Sequence, residues 1–169
     1  SLCSSADLED FADDTTRRYA PFCVTGTVLS VSYNFTNQLV FSDASGRAEL
    51  RIDSDYRPVP GEIVAMTGYA HMSRHQNIDI VAREIEHVGT GSVDPPVELR
   101  LGEISESKHH LLTLVTAGTV IDSFRDEIDA NNYFLILKDE DAVLPVALPI
   151  GPDSDLNGLQ KLLDARVRV

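Results

Sequence analysis

Tyr33, Phe35 and Tyr133 are the side chains of this sequence best placed to stack on a flat ligand. Each lies at the junction between an apolar stretch and a polar break. Exposed rings in such places stack on bases or sugars, and a neighbouring cation then holds a phosphate or carboxylate. Arg47 and Arg51 are the cations that follow Tyr33 and Phe35, and residues 21–46 contain neither Lys nor Arg. These five residues form the candidate ligand-binding set. The competing expectation is that the rings pack within core and loops, since aromatic content is 7% and Trp is absent.

Other groups invite metal or covalent chemistry. His71 and His75 lie four apart, a spacing that chelates a metal on a helix. They fall in a polar stretch with no third ligand, so a plain loop is expected, and the same holds for His109-His110. Asp126-Glu127-Ile128-Asp129 and Asp139-Glu140-Asp141 lack the Gly that a calcium loop needs at its sharp turn. Solvated acidic turns are expected there, with no metal and no cofactor. Cys3 and Cys23 admit two readings. One is a loose surface thiol and a buried thiol acting as a small hydrophobe. The other is a disulfide pinning the leader to the first strand, which requires an oxidising compartment. The sequon Asn34-Phe35-Thr36 carries no weight. A nucleophile elbow, a Walker loop, a dinucleotide-binding Gly pattern and a His-Glu-x-x-His helix are all missing from the sequence, so catalysis is not expected.

Charge narrows the partners. Lys+Arg number 14 against 27 Asp+Glu, a net −13, and the deficit is even: residues 1–94 carry 7 basic and 14 acidic groups, residues 95–169 carry 7 and 13. Affinity for nucleic acid comes largely from Lys and Arg neutralising phosphates. Nucleic acid and anionic membranes are therefore disfavoured, which leaves a small molecule or a protein as the expected partner. No apolar run approaches the roughly 20 residues that span a bilayer.

The elements that must position these groups are mostly strands. Ser4-Ser5-Ala6-Asp7 resembles a capping box, and Leu8, Phe11 and Ala12 follow at helical spacing, which predicts a leading helix over 5–16. From Pro21 the period becomes two, and Phe22, Val24, Gly26 and Val28 share one face of a first strand. Strands over 39–43, 48–52, 62–69 and 78–85 follow. The turn signals Ala44-Ser45-Gly46 and Pro58-Val59-Pro60-Gly61 separate them. Gly89 to Pro96 reads as a linker.

The pattern then repeats. Val24-Thr25-Gly26-Thr27-Val28 is echoed by Thr116-Ala117-Gly118-Thr119-Val120, and Leu39–Asp43 by Leu135–Asp139. The second copy has strands over 112–124, 133–139 and 143–148, then Leu156, Leu159, Leu162 and Leu163 on one helical face. Gly26 to Gly118 is an offset of 92, Asp43 to Asp139 is 96 and Ile63 to Val167 is 104, so the second copy has a longer first loop and a helix after its third strand. The expected fold is all-β with short helices. It comprises two tandem, small, five-stranded oligonucleotide/oligosaccharide-binding (OB)-like barrels, in which a mid-strand Gly lets the first strand bend. The expected organisation is a leading helix plus first barrel at 1–88, a linker at 89–98 and a second barrel at 99–169. The second lacks its last strand in this chain, since Arg166-Val167-Arg168-Val169 reads as the opening of a strand that continues. A partner strand could complete that sheet.

The motif order extends the reading. A Gly-centred strand leads to Phe-Ser-Asp-Ala-Ser-Gly at 41–46 and Val-Pro-Gly-Glu at 59–62. A Pro-Pro linker, Leu-x-Leu-Gly-Glu-Ile at 99–104 and Leu-Leu-Asp-Ala-Arg-Val-Arg-Val at 162–169 complete it. This order resembles the tandem OB-like region in the extracytoplasmic sensing part of bacterial hybrid two-component sensor histidine kinases. The resemblance implies a periplasmic, non-enzymatic sensor module that transmits ligand or partner binding through packing between barrels. The alternatives are an OB-fold nucleic-acid-binding protein and a structural protein–protein interaction module.

Overall fold

A computed structural model describes residues 1–14, 16, 18–33, 37–73, 77–151 and 154–169. The chain is all-β with a few short helices, and it divides into two compact units, Ser1–Asp94 and Pro95–Val169.

The first unit opens with helix α1 (Ser5–Asp13), three residues shorter than the periodicity predicts. Ser4 is its N-cap, its hydroxyl accepting from the Asp7 N–H. Nine residues are too few for a helix to persist alone. Burial of Leu8 and Phe11, 0% and 1% exposed, holds it in place, at about 1.5–3 kcal/mol for each fully buried side chain. Five strands follow: β1 (Tyr19–Ser32), β2 (Gln38–Ser42), β3 (Arg47–Ile52), β4 (Glu62–Met72) and β5 (Ile78–Thr90). β1 pairs with β2 along one stretch and with β4 along another. β3 meets β5 in parallel at Arg51–Val81 and Ile52–Ala82, which closes the order β1-β2-β3-β5-β4 into a barrel. β5 outruns the predicted strand and takes in Gly89 and Thr90, which composition alone assigns to the linker. The core runs through Phe22, Val24, Val28, Leu39, Phe41, Leu50, Val64 and Met66.

The second unit contains β6 (Val97–Glu98), a 3-10 turn at Leu101–Glu103, α2 (Glu106–His109), β7 (Leu114–Val115), β8 (Ala117–Arg125), β9 (Asn132–Asp139), β10 (Ala142–Pro149), α3 (Leu156–Gln160) and β11 (Arg166–Arg168). Thr116 interrupts the first strand predicted for this unit, splitting it into β7 and β8. The sheet order is β10-β9-β8-β11, an open four-stranded sheet, with β6 and β7 forming a small parallel pair. Val120, Tyr133, Leu135 and Leu137 form the core, and Leu101 and Ile150 close over it.

The repeat is structural as well as sequential. The β1–β2 ladder slips between Val28 and Ser30, and the β8–β9 ladder slips between Val120 and Asp122, the same place at the offset of 92. Gly26 and Gly118 are both closely approached by the neighbouring strand, so β-carbons there would lie 2.5 Å from Phe41 Cδ2 and 3.1 Å from Leu137 Cβ. Gly26 pairs with Val64 and Gly118 with Val167. The equivalence at the fourth strand is thus Val64 to Val167, one residue from the Ile63 alignment that sequence alone suggests. The lead-ins match too. The Leu2 N–H donates to the Pro21 carbonyl at 3.0 Å, and the Val97 N–H donates to the Thr113 carbonyl at 3.0 Å; both run parallel to the strand they join.

Candidate functional site

On the first unit, residues that could engage a ligand gather along the seam of β3 and β5 and at the end where β3 leads into the turn before β4. A cleft of about 400 Å³ lies along the seam, lined by Gln38, Glu49, Leu50, Arg51, Ile78 and Asp79. A second, of about 500 Å³, lies at the end of β3 and includes Asn37, Asp53, Asp55, Arg57, Arg83 and Glu84.

Local backbone geometry explains the second cleft. The β4–β5 ladder pairs Thr67 with Glu84 and then Gly68 with Ala82, leaving Arg83 as the extra residue of a bulge. A bulge re-aims the side chain it carries. Here Arg83 meets Asp53 at 2.7 Å and lies over the Tyr69 ring, 5.5 Å from its centroid, while Tyr69 stacks on Tyr19 at 5.9 Å. Hydrogen bonding to the Tyr69 hydroxyl and the charge of Asp53 hold the Arg83 guanidinium above its ordinary pKa.

In the seam cleft, Arg51 donates twice to Asp79: Nε to Oδ1 at 3.1 Å and Nη2 to Oδ2 at 2.9 Å. That hydrogen bond raises the Arg51 pKa and lowers that of Asp79. Both side chains are more than two-fifths exposed, so the pair is worth on the order of 0.5 kcal/mol. Its effect is to occupy the guanidinium face that an anion would otherwise use.

The sequence-derived candidates scatter. Tyr33 is half-buried against the core, its hydroxyl donating to the Pro58 carbonyl and its ring beneath Arg57 at 5.2 Å. Burial raises its pKa. Phe35 lies outside the described residues, as do His75 and the sequon Asn34-Phe35-Thr36. Arg47 pairs with Asp94 at 3.5 Å, and Arg51 lines the seam. Tyr133 is 2% exposed in the second core, its hydroxyl 3.1 Å from Ser123 Oγ, and presents no ring to a ligand. Its neighbour Phe134, which reads from sequence as barrel core, instead stacks at 5.5 Å on exposed Phe124. A run of five apolar residues from Tyr133 to Leu137 carries no alternation to say which side faces in, so the two roles are exchanged.

Cys3 and Cys23 are both free and exposed. Cys23 is not the buried thiol of the first reading, because Phe22 and Val24 on either side of it take the inward positions. The parallel bridge of Leu2 to Phe22, with the Cys23 N–H donating to the Leu2 carbonyl at 2.9 Å, makes the two cysteines neighbours in register. Among the described residues no group of three His, Cys, Asp or Glu is assembled to hold a metal ion.

Sequence reasoning missed Arg83, Asp53, Tyr69 and Tyr19. Alternation in β4 could have placed Tyr69 outward, but the bulge that brings Arg83 to it leaves no trace in composition. No protein-family model matches the chain, and no curated protein matches it. The reading of function therefore rests on the molecule itself.

Proposed function

We propose that the chain is a non-enzymatic binding module of two OB-like units, serving as the extracytoplasmic sensing region of a bacterial signalling protein. The observation that carries this reading is the strand order β1-β2-β3-β5-β4, closed by a parallel β3–β5 contact, with its first three strands rebuilt in the second unit down to the same bulge. OB barrels bind through the face of their second and third strands and the loops beside it. The seam cleft falls beside that face. Fold alone does not name the ligand. The cleft residues narrow it: Arg51 is held by Asp79 and Arg83 by Asp53, while Arg57 sits over Tyr33, so the guanidiniums here are already neutralised or stacked. A small polar molecule or a protein surface suits this arrangement better than a polyanion. Labelled single-stranded DNA and RNA, titrated at low salt and followed by anisotropy, are expected to show no binding. Micromolar binding that weakens steeply with added salt would overturn the reading in favour of a nucleic-acid binder.

An extracytoplasmic location carries its own expectation. Oxidised glutathione should convert Cys3 and Cys23 to a disulfide, taking two electrons from the two thiols, with their two protons passing to the glutathione released. Closing a loop of that length stabilises by about 3 kcal/mol. Thiol counting and a melting-temperature rise that Cys23→Ser abolishes would bear this out. Two thiols that persist under oxidant would count against it.

A further inference from the structure

In the first unit the lead-in is latched to the β2–β3 hairpin, since Asp43 accepts from the Ser5 N–H and hydroxyl, both at 2.7 Å. The second unit keeps both parts and drops the latch. The Leu2–Val97 lead-in equivalence carries Ser5 to Arg100, and Asp43 corresponds to Asp139. Here the Arg100 N–H donates instead to Glu103 Oε2 at 2.9 Å, and Asp139 Oδ1 accepts from Arg166 Nη1 at 3.0 Å. The 3-10 turn and the β9–β10 turn now flank a cleft of about 490 Å³, with Arg100 and Glu103 on one side and Glu140 and Asp141 on the other. A smaller recess of about 230 Å³ shares Arg100, Glu103 and Asp139 with it, and Leu99 and Thr116 help to wall it.

Thr116 is 5% exposed, and its hydroxyl is the one buried side-chain group among the described residues with no hydrogen-bond partner. Its equivalent in the first unit is Val24, also buried, so packing alone does not call for a hydroxyl at this position. Leaving a buried hydroxyl unpaired costs about 1–3 kcal/mol. Charges at the rim are unanswered too. Among the described residues Arg100 has no ion-pair partner, and neither has Glu140 or Asp141. A simple anion entering here would meet those two carboxylates, in a unit where acids already outnumber bases by 13 to 7. A simple cation would meet the Arg100 guanidinium. A ligand carrying one charge of each sign avoids both penalties.

We propose that this double cleft binds a free α-amino acid with a small hydroxyl or amide side chain. Its carboxylate lies on the Arg100 guanidinium, its ammonium on Glu140 and Asp141, and its side chain in the recess at Thr116. A guanidinium takes a carboxylate through two parallel hydrogen bonds, which fixes that end of the ligand. The recess then selects the side chain: its volume admits a short one, and the Thr116 hydroxyl gains the partner it lacks from a polar tip. The site adds to the clefts of the first unit and shares no residue with them, so either can fail without the other.

L-Serine is the probe, added to the full chain and followed by two-dimensional NMR of the backbone amides. Saturable shifts are expected at Arg100–Glu103, Thr116 and Glu140–Ala142, at millimolar serine or below, with the first unit unmoved. Ethanolamine, which lacks the carboxylate, and hydroxypropionate, which lacks the ammonium, should each bind about tenfold more weakly or worse, the effect of losing one charge-assisted contact. Arg100→Gln should cost as much. Thr116→Val, which keeps the shape and removes the hydroxyl, should weaken serine binding several-fold while raising the melting temperature; a purely structural hydroxyl would change stability alone. Amides that show no saturable shift at millimolar L-serine overturn the proposal, as do shifts confined to the first unit. Ethanolamine binding as tightly as serine also overturns it, since the cleft would then be a plain acidic patch for cations. So does serine binding that neither Arg100→Gln nor Thr116→Val alters.

Discussion

Gly68→Ala is expected to cost the first unit at least about 3 kcal/mol, enough to unfold a marginal barrel at ordinary temperatures. A β-carbon at Gly68 would stand 1.9 Å from the Val81 carbonyl oxygen and 2.9 Å from both the Val81 carbonyl carbon and Phe22 Cζ. Two of these three atoms are backbone, which cannot rotate away as a side chain can. The crowding follows from the bulge: skipping Arg83 draws Val81 of β5 over Gly68 of β4. Relief would require the two strands to part at the place where β5 also crosses to β3. The same movement would displace Arg83 from Asp53 and Tyr69 and so rebuild the cleft at the end of β3. Urea denaturation gives the magnitude. Gly118→Ala supplies the comparison, because its nearest neighbours would be Leu137 Cβ at 3.1 Å and Lys138 O at 3.2 Å, contacts that a few tenths of an ångström relieve. About 1 kcal/mol is expected there. Equal losses at the two positions would mean that the bulge yields, and that the ordering argued from backbone contact is wrong.

That contrast bears on how far sequence alone leads in this chain. Gly26 and Gly118 stand out in the sequence because they interrupt β-branched strands at matching places, and the crossing they permit is present in both units. The bulges that accompany them do not stand out, since a bulge is a mismatch between two strands and neither strand records it alone. Arg83 was invisible as a cleft residue for that reason. Tyr133 and Phe134 fail differently: either ring can face the core when every neighbour is apolar, and only the partner register from Phe124 decides it. The lead-in repeat was hidden because its two copies share hydrogen bonding rather than residues, Leu2 on Phe22 in one and Val97 on Leu114 in the other. Arg51, like Arg47, reads in the sequence as a cation available to a ligand, and the charge that answers it, Asp79, comes from a strand 28 residues away.

Asp43→Ala is expected to cost about 2–3 kcal/mol and to loosen α1 from the barrel. In the β2–β3 hairpin its carboxylate accepts from the Ser45 N–H at 2.7 Å, the Ser45 hydroxyl at 2.6 Å and the Gly46 N–H at 3.2 Å. It also reaches out of the hairpin, to the Ser5 N–H and hydroxyl, both at 2.7 Å. Ser45 in turn accepts from the Ala6 N–H at 3.1 Å. One carboxylate thus fixes a turn and anchors the first turn of the helix whose Leu8 and Phe11 fill the core. Partial burial pushes its pKa up, but hydrogen bonds from the side chains of Ser45 and Ser5, then from their backbone N–H groups, outweigh this and hold it at about 2. A depressed carboxylate pKa stabilises the fold above the unfolded value near 4, and that contribution is lost as pH falls through the folded value. The difference would amount to about 2 kcal/mol if wholly shielded, and exposure to water reduces it to on the order of 1 kcal/mol. Urea midpoints should therefore fall between about pH 4 and pH 2 in the parent chain by more than in Asp43→Asn, which cannot titrate there. Hydrogen exchange in α1 should quicken in both variants while the ladder of β1 and β4 stays protected. An acid profile identical in parent and Asp43→Asn would show that the carboxylate is not what ties the helix to the hairpin, and would leave α1 held by Leu8 and Phe11 alone.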